Sequence, residues 1–83
     1  MNPSHEVTER VRIGRLAKDA GVLPSTVRYY VKEGLLRAVA HTRGGFFLFD
    51  REEALKRIAY IQSLKAQRFT LAEIREQFLG ETK

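Results

Sequence analysis

The side chains of the stretch PSTVRYYVKEG, residues 24–34, have types and spacing suited to binding a polyanion. At helical spacing Val27, Tyr30 and Val31 share one face, whereas the opposite face offers hydroxyl, guanidinium, phenol and ammonium groups. Those groups belong to Ser25, Thr26, Arg28, Tyr29 and Lys32. A guanidinium can bond a guanine edge or a phosphate through two hydrogen bonds, and hydroxyl and phenol groups commonly bond phosphates. The pattern predicts a nucleic-acid contact surface, with a merely solvated helix face as the alternative.

The adjacent pair Tyr29 and Tyr30 favours contact over solvation. One of two neighbouring rings can be buried in a helical protein, but the next then points elsewhere, and an exposed tyrosine without a partner is less expected. We predict that Tyr30 lies in the core with its hydroxyl hydrogen-bonded at the edge. Tyr29 is then the ring that faces the partner.

Catalytic and metal-binding chemistry is not indicated by the sequence. The 83 residues include no cysteine, which excludes disulfides, thiolate nucleophiles and cysteine-based zinc sites. The two histidines, His5 and His41, lack the spacing of a metal-binding pair. No paired carboxylates and no nucleophile–base pair stand out. We therefore expect no enzymatic activity, no metal and no cofactor.

The charge balance favours a polyanionic partner. Fifteen lysines and arginines against ten acidic residues give a net charge of +5, which suits nucleic acid. Eight of the fifteen lie in residues 1–50 and seven in residues 51–83, so a binding surface has to be assembled by folding. Without a membrane-length apolar run or a signal-peptide pattern, the expected location is cytoplasmic, in association with the nucleoid.

Four helices and one short hairpin are predicted to position these groups. Apolar spacing from Ile13 and a stop at Gly21 indicate a first helix, and a second helix opens at Pro24 and closes at Gly34. Two short helices joined by such a turn form a helix-turn-helix. The β-prone runs LRAVA and FFLF, on either side of HTRGG, predict a two-stranded hairpin within residues 36–49.

Two capping boxes predict the remaining helices. Asp50 with Glu53 opens a helix over about residues 51–67, and Thr70 with Glu73 opens a final helix that ends at Gly80. The fold class is mainly α: a winged helix-turn-helix over residues 10–80, with four helices and a two-stranded wing between the second and third. Residues 1–9 are expected to form a flexible tail, and residues 81–83 are the C-terminal end.

Two long stretches resemble a known family. IGRLAKDAGVLPSTVRYYVKEGLL and TRGGFFLFDREEALKRIAYIQSLKAQRFTLAEIREQ are similar to the DNA-binding domain of the mercury-resistance-type (MerR) transcriptional regulators, from about Val11 to Phe78. The resemblance implies sequence-specific binding of double-stranded DNA, with the second helix (about residues 24–33) in the major groove and the wing (about residues 37–49) on the backbone. Members of the family act as dimers on pseudo-palindromic promoters and distort the DNA between the promoter elements.

The same resemblance implies an oligomeric state. Full-length members continue into a long helix that forms an antiparallel dimer, and then into an effector-sensing region. This sequence stops at Lys83, so we expect the chain to be a monomer in isolation and a dimer where that helix is present.

The sequence departs from the family pattern at four positions. Leu23 stands where a small capping hydroxyl is usual, and Val31 where an acidic residue commonly follows the tyrosine pair. In the wing, Gly45 is followed by Phe46 and Phe47 rather than by tyrosine and arginine. Both wing replacements remove groups that ordinarily reach phosphate. Arg43, at the hairpin tip, is then the best remaining wing contact.

Other candidate contacts to the flanking DNA backbone are basic or aromatic residues outside the second helix. They are Arg15, Arg37, Lys56, Arg57 and Tyr60. Ordinary solvated surface is the alternative for each of them. Four further cations are interpreted as ordinary surface: Arg12, Lys65, Arg68 and Arg75.

The segment RGGFFLFD has three possible roles. Alternation places Phe46 and Leu48 on one face of a strand and Phe47 and Phe49 on the other, and we expect at least two of the rings in the core. An exposed Phe47 or Phe49 would favour a protein partner on the wing, and base stacking remains a third possibility. Two functions therefore stay open beside DNA regulation: a protein-interaction module, and an excisionase-like factor that bends DNA.

Overall fold

The helix-turn-helix predicted from the sequence is confirmed. The computed structural model describes residues 9–81, in which α1 (Ile13–Ala20) and α2 (Pro24–Lys32) are joined by a turn at Gly21. Gly21 takes the left-handed conformation (φ 72°), and the N–H of Val22 donates to the carbonyl of Ala17 at 3.0 Å. This is the usual way in which a glycine closes a helix. The turn fixes α2 against α1 with its polar face outward.

The sheet has three strands, where the sequence predicts two. β1 (Arg10–Val11) and β2 (Ala40–His41) both pair antiparallel with the central strand β3 (Phe47–Asp50). A strand of two residues gives no alternation, which is why β1 could not be predicted. The predicted strand from residue 36 is also too long. Ala40 pairs with Leu48 and β3 ends at Asp50, so residues before 38 have no strand opposite them.

Two longer helices complete the fold close to their predicted bounds. These are α3 (Arg51–Ala66) and α4 (Leu71–Glu81). The capping box of α4 is confirmed: the N–H of Thr70 donates to Glu73 Oε1 at 2.8 Å, and the N–H of Glu73 donates to Thr70 Oγ1 at 3.2 Å. These bonds satisfy amides that a helix start leaves unpaired.

The capping box predicted at Asp50 is wrong. Its side chain makes no capping hydrogen bond, and Oδ1 has no hydrogen-bond partner among the described residues. Asp50 is still the last residue of β3, where it pairs with Arg10. The N–H of Arg51, at the first position of α3, donates to the carbonyl of Glu9, the residue before β1, at 2.8 Å, so the start of α3 is bonded to the backbone beside β1.

One core joins the helices to the sheet. Leu16, Val27, Phe49, Ile61 and Ile74, from five different elements, are fully buried. Each large apolar side chain contributes about 1.5–3 kcal/mol when it is removed from water. The core therefore holds α2 and the wing in a fixed relation to each other.

The rings of the wing divide as alternation predicts. Phe49 is fully buried and Phe47 packs partly buried against the core, which confirms that at least two rings belong there. The expectation of an exposed Phe47 or Phe49 as a protein contact is wrong for Phe49. The face that these rings share is the one packed on the helices, and Phe49 pairs with the buried Val11. The exposed ring is Phe46.

An ion-pair cluster links the end of α1 to the start of α3. Asp19 Oδ2 accepts hydrogen bonds from Nε of Arg51 and Nε of Arg15, both at 2.8 Å. The bond from Arg51, more than the one from Arg15, lowers the pKa of Asp19 below its ordinary value. The same bond raises the pKa of Arg51.

In the part of the chain that the structure describes, no helix is long and apolar enough to cross a membrane.

Candidate nucleic-acid interface

The outer face of α2 presents its polar groups without internal partners. Val27 and Tyr30 are buried on the inner face. On the outer face Ser25, Arg28 and Lys32 are exposed to solvent, and Thr26 is half-buried. Tyr29 is 45% exposed. Within residues 9–81 none of the outward side chains of α2 forms a side-chain hydrogen bond or an ion pair. Their donors are therefore available to an external acceptor.

The start of α2 lacks a side-chain cap, as the sequence predicts. Leu23 occupies the capping position in an extended conformation and makes no capping hydrogen bond. Its carbonyl accepts the N–H of Thr26 at 2.9 Å. Because the first amides of a helix carry a partial positive charge, an uncapped start favours a nearby anion.

The tip of the wing is a three-residue turn. The N–H of Thr42 donates to the carbonyl of Phe46 at 2.8 Å, and Thr42 Oγ1 accepts the N–H of Phe46 at 3.1 Å. Gly45, the last residue of the turn, has φ 89°, a backbone conformation that residues other than glycine rarely adopt. Arg43 is exposed at this tip, as predicted, and its guanidinium has no hydrogen-bond or ion-pair partner among the described residues.

A groove separates α2 from the wing. We call it the helix–wing groove: a cavity of about 620 Å³ lined by Arg28, Val31 and Lys32 of α2, by residues 45–47 of the wing, and by residues 12–14. Arg12 was interpreted from the sequence as ordinary surface, yet its guanidinium enters this groove. Nothing in the sequence indicated that position, because it depends on the pairing of β1 with β3.

The remaining candidates lie elsewhere or already have partners. Arg15 pairs with Asp19 and, at 3.6 Å, with Glu9. Arg37 and Arg57 line a second cavity of about 380 Å³, separate from the helix–wing groove.

Two of the three candidates on α3 pack against α4. The guanidinium of Arg57 lies 4.0 Å from the ring centroid of Phe78, and Tyr60 donates to Gln77 Oε1 at 3.3 Å. Lys56 is exposed.

Within the described residues no group of three acidic, histidine or cysteine side chains could hold a metal ion. Of the predicted residues, the structure thus brings Arg28 and Lys32 together in one groove and keeps Arg37 and Arg57 apart from it.

Comparison with known proteins identifies the family. The family described as "MerR HTH family regulatory protein" matches residues 11–80. The chain belongs to the MerR family. The match includes both helices of the helix-turn-helix, the whole wing and α3, so every residue lining the helix–wing groove lies within it. This MerR-family chain therefore contains the helix-turn-helix of the family.

Relatives of this MerR domain are longer proteins. The chain is 39% identical over 82 residues to the nodulation protein NolA of Bradyrhizobium diazoefficiens, a match that covers 99% of this chain and 34% of NolA. It is also similar to the solved structure of the regulator PbrR691 from Ralstonia metallidurans, in complex with lead(II). That structure has a TM-score of 0.76 and 42% identity over 87% of this chain and 56% of the other.

A third relative was solved with DNA. HiNmlR, described as a MerR family regulator lacking the sensor domain and bound to promoter DNA, matches with a TM-score of 0.71 and 28% identity. The match covers 82% of this chain and 51% of HiNmlR. This MerR chain therefore spans about a third to a half of the length of the proteins it matches.

Proposed function

We propose that this MerR-family chain binds a promoter in double-stranded DNA, with α2 in the major groove and the wing on the adjacent backbone. The observation that carries the proposal is the outer face of α2, where Arg28, Tyr29 and Lys32 are exposed and have no internal partner among the described residues. Binding of this kind would keep the chain on the chromosome.

The proposal divides the α2 groups by task. Arg28 lies on the central turn of the exposed face and is proposed to read a base, since a guanidinium bonds the O6 and N7 of guanine with two hydrogen bonds. Ser25, Thr26, Tyr29 and Lys32 are proposed to bond phosphates and so to fix the register of the helix. The net charge of +5 supports an attraction to DNA that does not depend on sequence.

The wing and α3 have smaller proposed roles. Arg43 is proposed to reach the backbone from the wing tip, and Lys56 to approach a flanking phosphate. Arg15, Arg37, Arg57 and Tyr60 remain candidate backbone contacts. We expect them to contribute little to the DNA affinity. Arg15, Arg57 and Tyr60 already have partners within the chain, and Arg37 lies at the second cavity. Dimer formation is proposed for a longer protein that contains this domain and the family's dimer helix.

Fluorescence anisotropy tests this proposal. The purified chain is titrated into a labelled duplex that carries the region upstream of its own gene, with a scrambled duplex as the comparison, at two salt concentrations. Tighter binding to the promoter at both salts is expected. The variant Arg28→Ala should lose about 1–3 kcal/mol of binding free energy on the promoter and little on the scrambled duplex. Equal binding to both duplexes, lost at the higher salt, would show attraction by charge alone.

A further inference from the structure

Arg12 lies on the exposed ring of the wing. Its guanidinium carbon is 4.4 Å from the ring centroid of Phe46, within the range of a cation–π contact. Phe46 is 53% exposed, and the side chain of Arg12 is exposed as well. No carboxylate among residues 9–81 pairs with Arg12. The ring therefore holds a cation at the surface without neutralising it.

The position of the ring is set by the turn that precedes it. Both backbone polar groups of Phe46 are bonded to Thr42, one to its amide and one to its hydroxyl. Arg12 in turn is the residue just before α1 and has an extended backbone (φ −84°, ψ 172°). Because β1 pairs with β3, this backbone runs beside the wing. Two separate parts of the chain thus converge at one point of the surface.

Three cations line the helix–wing groove. Arg12 approaches from the start of α1, and Arg28 and Lys32 approach from α2, whereas none of the lining residues is acidic. The apolar lining comes from Ile13, Val31 and the wing rings. Like charges gathered without a counter-charge favour an anion that can meet several of them at once. A sugar–phosphate strand has the chemistry that this lining favours: its phosphates can meet Arg12 and Lys32, and its deoxyribose rings can meet the apolar surface.

We propose that Arg12 contacts a DNA phosphate, that Phe46 positions it, and that the helix–wing groove takes one strand of the duplex backbone. This inference rests on the proposed function and adds to it a residue and the course of one strand. Phe46 and Phe47 stand in the wing where the family pattern would place tyrosine and arginine. The phosphate-binding cation missing from the wing is supplied by the residue before α1.

The test compares salt dependence among single variants. For Arg12→Gln we expect weaker binding to promoter and scrambled duplex alike, by the same factor. The slope of log K against log salt is negative, and it should become shallower by about 1, as for the loss of one phosphate contact. Arg12→Lys keeps the charge and should keep the slope of the unchanged chain. Arg75→Gln is the matched control, because it removes the same charge from a guanidinium bonded to Glu33 beside the second cavity.

A substitution of the ring separates positioning from contact. Phe46→Leu keeps an apolar side chain but removes the π face, so it should weaken binding several-fold with a smaller change in slope. The double variant Arg12→Gln with Phe46→Leu should bind no worse than Arg12→Gln alone, because the ring then has no cation to position. Circular dichroism melting of every variant checks that the fold is kept.

The failures can be told apart. If the unchanged chain does not discriminate promoter from scrambled duplex, the proposed function fails. If it discriminates but Arg12→Gln has the affinity and salt slope of the Arg75→Gln control, the role of Arg12 is overturned and the proposed function stands. A loss of discrimination in Arg12→Gln with an unchanged slope would also overturn the phosphate role, since it would mean that Arg12 reads a base. If Arg12→Gln fails to fold, the salt dependence of Arg12→Lys is the test. A shallower slope of log K against log salt in Arg12→Lys than in the unchanged chain overturns the proposal, because the charge has been kept.

Discussion

Tyr29 and Tyr30 are neighbours in the chain but have opposite environments. Tyr30 is fully buried, and its hydroxyl accepts a hydrogen bond from Nε2 of Gln62 at 3.1 Å, as the sequence predicts for a core tyrosine. Tyr29 lies on the exposed face of α2, and its hydroxyl has no partner among the described residues. The two phenols can therefore be compared with the same substitution.

Removing each hydroxyl should separate stability from binding. Tyr30→Phe is expected to lower the free energy of unfolding by about 0.5–1 kcal/mol, the net value of one hydrogen bond, and to leave DNA affinity unchanged. Tyr29→Phe is expected to weaken DNA binding and to leave stability unchanged. Urea denaturation and anisotropy on both variants check this. The reverse assignment of effects would mean that α2 does not present Tyr29 to DNA.

Individual side chains were predictable where one element decides their orientation. The helical period of α2 predicts which face is buried, and Val27 and Tyr30 confirm it. Contacts between elements were not predictable in this way. The contact of Arg12 with Phe46 depends on a strand of two residues, and that of Arg57 with Phe78 depends on how α4 packs on α3.

Between elements, the link from α1 to α3 should make stability depend on pH. Asp19 has a lowered pKa in the folded chain, chiefly because it accepts a hydrogen bond from Arg51. A carboxylate of this kind stabilises the fold above its unfolded pKa of about 3.9. The stabilisation is lost as pH falls through the lower folded value.

Asp19→Asn tests this link. The variant should be less stable than the unchanged chain at pH 7, and the difference should shrink as pH falls below about 4. Urea midpoints over this pH range provide the measurement. Glu76→Gln serves as the control, because Glu76 is exposed and forms no ion pair within residues 9–81. A difference that stays constant with pH would show that the Asp19 charge does not stabilise the fold.

The turn between α3 and α4 contains a strained residue. Arg68 has φ 74°, and the N–H of Phe69 donates to the carbonyl of Leu64 at 3.1 Å, as in turns that usually have glycine at this position. Arg68→Gly should therefore raise the free energy of unfolding by about 0.5–1 kcal/mol, after the larger chain entropy of unfolded glycine is deducted. Gly21→Ala, at φ 72°, should do the opposite. A loss of stability in Arg68→Gly would mean that the arginine side chain stabilises the turn.

The elements themselves were largely predictable because their signals are local. The Thr70 capping box and the apolar period of α3 each lie within a few residues of the helix that they predict. The pattern at Asp50 was misleading because β1 takes part in the same junction. Strand β1 brings residues about 40 positions apart together, and the sequence carries no periodic signal for that pairing.

At the scale of the whole molecule, the 83-residue chain is expected to be a monomer. The large apolar side chains that it exposes are distributed over α2, the wing, α3 and α4 rather than gathered on one element. A single recognition helix covers one half-site, so affinity should be modest until a tether joins two copies. Sedimentation velocity without DNA checks the expectation. A tight dimer would contradict it.

The central claim is that α2 and the wing form the DNA surface. The most direct measurement is a ¹H–¹⁵N NMR titration of the chain with its promoter duplex. The largest amide shift changes are expected in residues 12–14, 25–32 and 42–47, around the helix–wing groove. If the changes were instead confined to the second cavity, in residues 34–39 and 75–79, the claim would be contradicted and DNA would bind through the face of α4.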